Sequence, residues 1–135
     1  MRPVIKYSTA QEALSVIKSG DRVFLHGSAQ TPVYMISELA KEAGRLKNVE
    51  LVSISVYGDL EICKPQYEGS FRMNSMFVSA SIRQAVNEGR ADYIPVFLSE
   101  IPELFKRNIL PIDVAIVHVS APDKHGYTSL GVSVD

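Results

Sequence analysis

Apolar runs of strand length alternate with punctuated helical segments along this chain, and that alternation narrows its possible folds more than any other feature. The first helix signal opens at Thr9, which forms a capping-box pattern with Glu12. Ala13, Leu14 and Ile17 give it an apolar stripe, and Gly20 offers a left-handed stop. "RVFLHG" (22–27) then reads as a buried strand. After it, Thr31 is expected as an N-cap with Pro32 at the first helical position, where a missing N–H costs nothing. This second helix points Ile36, Leu39, Ala40 and Ala43 inward and ends at Gly44.

The rhythm continues to the end of the chain. "VELVSISV" (49–56) and "FRMNSMFV" (71–78) read as strands, separated by a stretch, 57–70, that Gly58, Pro65 and Gly69 make hard to assign. "SASIRQAVNEG" (79–89) predicts a helix capped by Ser79 and stopped by Gly89. In "DYIPVFL" (92–98), Pro95 marks an edge strand or a distorted ladder. A helix over 99–108 carries Pro102 in its first turns, and "IDVAIVHVS" (112–120) is the strongest strand signal of all. Roughly one strand–helix unit per 25 to 30 residues predicts an α/β fold, a mostly parallel sheet flanked by helices on both faces. The last segment, "HGYTSLGVSVD", carries no stop signal and reads as though cut from a longer chain.

Bulk properties exclude several classes. The 135 residues suit one domain, and 46% apolar content supports a packed core. The net charge of −1, with acids and bases interspersed and no basic stripe, argues against nucleic acid as a partner. No apolar run is long enough to cross a bilayer, and "MRPVIKYSTAQEA" lacks a signal-peptide core, so no membrane association is expected. A single cysteine, Cys63, excludes an internal disulfide and fits a reducing cytoplasm, where it reads as a small apolar residue. No paired histidines, CxxC or acidic cluster appears, so no metal is predicted.

In parallel sheets of this kind, ligands sit beyond the carboxyl ends of the strands. Gly27, Ser28, Ala29 and Gln30 lie in such a loop. There Gly27 allows close backbone approach, and the following helix points free N–H groups at a carboxylate, phosphate or developing oxyanion. An ordinary turn explains this loop equally well on spacing alone. Asn74 and Ser75, polar among apolar neighbours, are candidates for the same crevice or for a solvent-facing strand side. In 120–131, Pro122-Asp123 with Gly126 is turn chemistry, and His125 and Tyr127 could line a site. His26 and His118 fit core or strand-end roles better than that of a base, and no nucleophile-and-base pair is recognisable.

Three ordered segments carry a resemblance. "GSAQTP", "RMNSMFVSASIRQAVNEGRADYIPVFLSEIPELF" and "DVAIVHVSAPDKHGYTSLGVSVD" together resemble the amino-terminal part of the acetyl-CoA hydrolase/transferase family. These are family I coenzyme A transferases, among them 4-hydroxybutyrate, butyryl and acetate CoA-transferases. The resemblance implies the fold shared by CoA transferases and sugar-phosphate isomerases, with residues 1–135 as the first of two domains. It implies CoA transfer between an acyl-CoA (acetyl-, butyryl- or 4-hydroxybutyryl-CoA) and a short-chain carboxylate. The transfer would pass through a glutamyl-CoA thioester on a glutamate of the second domain, so no catalytic nucleophile is expected in this chain and the chain alone should be inactive. It further implies no bound cofactor beyond CoA as substrate, a cytoplasmic homodimer, and substrate contacts from Gly27, Ser28, Ala29, Gln30, Asn74, His125, Gly126 and Tyr127. A non-catalytic ligand-binding module of the same fold, or an acyl-CoA hydrolase, stays open as an alternative.

Overall fold

The computed structural model describes residues 6–134; the expectation for the N-terminal leader falls partly outside them. The Thr9–Glu12 capping box forms, with the Thr9 amide on Glu12 Oε2 at 2.9 Å and the Glu12 amide on Thr9 Oγ1 at 3.2 Å. Helix α1 (Ala10–Leu14) is a short turn that ends well before Gly20, whose φ of +85° serves a later turn instead of the helix stop. Strand β1 (Arg22–Leu25) follows, then a 3-10 turn over Ser28–Gln30 and α2 (Val33–Lys41). Next come β2 (Val49–Ser53), β3 (Phe71–Ser75), α3 (Ala80–Asn87), β4 (Asp92–Tyr93), α4 (Ile101–Lys106) and β5 (Val114–Ile116). The unassigned stretch 57–70 holds two 3-10 turns, Glu61–Cys63 and Pro65–Tyr67, in place of a crossover helix.

All strand pairs are parallel, in the order β4-β3-β2-β1-β5. The order runs outward from β1 in one direction and then jumps back, so the sheet reverses at β1. Alternation within the strands divides the core. Val23 and Leu25 of β1 join Leu51, Phe71 and Met73 beneath Leu39 of α2 and Ile82 of α3. On the other face Phe24 and Val52 meet Ile101, Leu104 and Phe105 of α4, with Phe24 and Phe105 edge to face at 5.9 Å. Helices therefore cover both faces, as the sequence predicts.

Two sequence expectations are corrected, for Thr31 and for β5. Thr31 does not cap α2: its hydroxyl donates to the Ser28 carbonyl at 2.7 Å and accepts the Tyr57 amide at 3.1 Å, and Pro32 takes the N-cap position. Gly27 is extended at φ −110°, and the left-handed residue of the loop is Ser28 at φ 50°. The strongest strand signal yields only the three residues of β5, because it lies at the sheet edge with Ile116 alone buried.

Candidate functional site

The loops at the carboxyl edge of the sheet are tied to one another by backbone and side-chain hydrogen bonds. The Ser28 amide donates to the Ser55 carbonyl at 2.6 Å, joining the loop after β1 to the loop after β2. Thr31 adds a second tie to Tyr57, described above. On the β5 side, the Gln30 amide donates from Nε2 to the His118 carbonyl at 3.2 Å. His26, 2% exposed, completes this side. With its proton on Nε2 the ring donates to the Ser133 carbonyl at 2.7 Å and accepts the His118 amide on Nδ1 at 3.2 Å. The segment 131–134 is thereby drawn back onto the sheet. Gly131 has φ +74°, a conformation that favours glycine, and a Cβ there would stand 2.6 Å from Gln30 Nε2 and displace that side chain.

Two clefts flank these tied loops. The larger, about 710 Å³, is lined by Ser28, Ser55, Tyr57, Met76, Phe77 and Tyr93, by the start of α4, and by 132–134. Among the described residues, none that lines it is charged. The other, about 420 Å³, lies between the first turn of α2 (Val33, Tyr34, Met35) and 117–119. Among the described residues, the amides of Tyr34 and Met35 have no acceptor, as the start of a helix dictates. The positive end of α2 thus opens on a cleft and is not plugged by side chains.

The predicted residues separate in space. Of Gly27, Ser28, Ala29 and Gln30, Ser28 lines the larger cleft, and the other three line neither. Asn74 lies elsewhere, on the α4 face of the sheet. Its Nδ2 donates to Glu50 Oε1 at 2.7 Å, while Glu50 Oε2 takes Arg22 Nε at 2.6 Å. His125, Gly126 and Tyr127 sit in an exposed turn built on Asp123. The Asp123 carboxylate accepts the His125 and Tyr127 amides at 2.8 and 3.0 Å, and its carbonyl accepts the Gly126 amide. These three residues line neither cleft. Sequence reasoning missed Ser55, Tyr57, Phe77 and Tyr93. Their signal was positional, since each follows or ends a strand at its carboxyl side.

Among the described residues, no group of three or more His, Cys, Asp or Glu is arranged to hold a metal ion, and no helix is long and apolar enough to cross a membrane.

Residues 4–135 match the model of the acetyl-CoA hydrolase/transferase N-terminal domain. The chain belongs to the acetyl-CoA hydrolase/transferase family. It is 44% identical over 130 residues to a succinyl-CoA:acetate/propanoyl-CoA:succinate CoA transferase of Fasciola hepatica, covering 95% of this chain and 27% of that protein. It is 42% identical over 130 residues to a 4-hydroxybutyrate coenzyme A transferase of Clostridium kluyveri, covering 96% and 30%. Among solved structures, RipA from Yersinia pestis superposes with a TM-score of 0.80 at 30% identity, covering 93% of this chain and 31% of RipA. The chain therefore spans less than a third of the length of these relatives.

Proposed function

We propose that this chain is the first of two domains of a coenzyme A transferase, moving CoA between an acyl-CoA (acetyl-, butyryl- or 4-hydroxybutyryl-CoA) and a short-chain carboxylate. The observation that carries this reading is a carboxyl edge with two clefts, the larger lined by no charged residue among the described ones and the smaller opening on the positive end of α2. Such a site suits the aliphatic part of an acyl group next to a carboxylate or thioester oxygen.

In the proposed reaction a glutamate carboxylate of the second domain attacks the thioester carbonyl, and CoA leaves as thiolate. The resulting mixed anhydride is attacked by that thiolate at the glutamyl carbonyl, releasing the first carboxylic acid as its carboxylate. The incoming carboxylate then attacks the glutamyl thioester, and the steps run in reverse. No glutamate lines either cleft, which fits a nucleophile supplied from elsewhere. The role of this chain is to bind and orient. Gly27, Ser28, Ala29 and Gln30 form the floor under the acyl group. Asn74 and the turn of His125, Gly126 and Tyr127 act at surfaces that a second domain reaches. A cytoplasmic homodimer with the active site between domains completes the proposal.

The test is isotope exchange with the natural polypeptide that carries this sequence. Labelled acetate should enter acetyl-CoA when butyryl-CoA is supplied, with the parallel initial-rate lines of a ping-pong reaction. No exchange by a polypeptide with its second domain intact refutes the reading. Release of free CoA without any dependence on an acceptor carboxylate would show a hydrolase instead.

A further inference from the structure

We propose that the free edge of β5 takes a further parallel strand from the rest of the natural polypeptide, and that the connection to that strand packs on the α4 face of the sheet. Only the greater length of the natural polypeptide, as in the relatives, rests on the functional reading above. Along β5 and its continuation, hydrogen bonding alternates with a period of two. The Ile116 carbonyl accepts the His26 amide at 3.0 Å, and the His118 amide and carbonyl meet His26 Nδ1 and Gln30 Nε2, each at 3.2 Å. Among the described residues, the amides and carbonyls of Val117 and Val119 have no partner. The chain thus runs on beyond Ile116 with one side bonded towards β1 and the other unpaired.

The two edges of the sheet differ. β4 is two residues long, its Asp92 is ion-paired with Arg72, and Pro95 follows with no amide to offer, all devices that keep an edge from pairing. On the β5 side, Ala115, Val117 and Val119 carry only apolar side chains, and the two valines are 44% and 38% exposed. A parallel strand that is apolar on both faces suits the interior of a sheet. The hand of the connections says where the covering chain lies. β1 to β2 and β3 to β4 step one way across the sheet, with α2 and α3 on the Leu25 face; β4 to β5 returns the other way, with α4 on the Phe24 face. A strand beyond β5 continues the second direction, so a right-handed connection to it lies on the α4 face. Ala115 is in register with Phe24, which puts Ala115 and Val117 on that same face. The exposed apolar positions are therefore those the connection would cover.

Hydrogen exchange resolved to single amides, thermal unfolding and a crystal structure of the natural polypeptide test this. The Val117 and Val119 amides should exchange at least about a hundredfold more slowly than in an unstructured chain. In the crystal, 115–119 should be bonded to a parallel strand of the same molecule. Val117→Lys should lower the Tm by several degrees, where Val117→Ile leaves it near the parent's. Free exchange at both amides overturns the inference, as does a Val117→Lys variant with the parental Tm. So does an edge that meets solvent, a helix, an antiparallel strand or a strand of a second copy. A paired edge in a polypeptide that transfers no CoA supports the inference and refutes the transferase reading alone; an open edge in an active transferase does the reverse.

Discussion

His26 engages both ring nitrogens with backbone, and in doing so ties β1, the end of β5 and the segment 131–134 together. Replacing the ring by a phenyl group keeps the volume but removes the acceptor of the His118 amide and the imidazole donor of the Ser133 carbonyl. His26→Phe should therefore cost about 2 kcal/mol in urea unfolding, with faster hydrogen exchange over 131–134. Cys63 is governed by its surroundings in a different way. Burial pushes its thiol up to about 11, and the nearby Arg90 guanidinium opposes this only in part. A mostly neutral thiol at pH 8 should react with a disulfide reagent more slowly than an unhindered cysteine of ordinary pKa, as a reagent titration of the folded protein against the unfolded one measures. The sign of the linked stability follows. The unfolded thiol loses its proton near its ordinary 9.0, before the folded one, so this contribution is intact below about pH 9 and is lost as pH rises through 11. Cys63→Ala should flatten that decline, and pH-dependent urea titrations measure it. Single residues such as His26 were legible as buried, satisfied groups because the ring stood in an apolar run; its partners were not, since Ser133 lies far along the chain.

Helix α2 divides stability from function along its length. Leu39, 0% exposed at its centre, packs against the sheet, whereas Val33, 45% exposed at its start, faces the smaller cleft. Leu39→Ala should cost about 3 kcal/mol, and Val33→Ala should stay within about 0.5 kcal/mol, both read from chemical unfolding. The inward face of α2 and the bounds of α3 at Ser79 and Gly89 were readable because periodicity and stop residues are local. The edge position of β4 was readable from Pro95 for the same reason. Burial of β5 was not, since a run of Val, Ala and Ile looks alike at the centre and at the border of a sheet. Thr31 shows the same limit. Its hydroxyl fits an N-cap in sequence, but the Ser28 carbonyl and the Tyr57 amide compete for it in the fold.

At the scale of the molecule, the parallel pairing of the strands gathers loops from β1, β2, β3 and β4 at one edge. Ser28 was legible as a residue at the carboxyl edge because 27–30 are contiguous and follow a recognisable strand. The other walls of the larger cleft were not, because Tyr57, Phe77, Tyr93 and 132–134 meet only once the sheet is assembled. Asn74 illustrates the converse, a polar residue in the expected strand whose side chain turns to Glu50 of the neighbouring strand and lines neither cleft. The central claim is that the acyl group lies in this assembled cleft. Photolabelling the natural polypeptide with an acyl-CoA carrying a diazirine in its acyl chain, followed by peptide mapping, tests it most directly. The account predicts modification within 54–57, 76–77 or 132–134 that excess butyryl-CoA suppresses; labelling confined to other surfaces of this chain, or unaffected by butyryl-CoA, would contradict it.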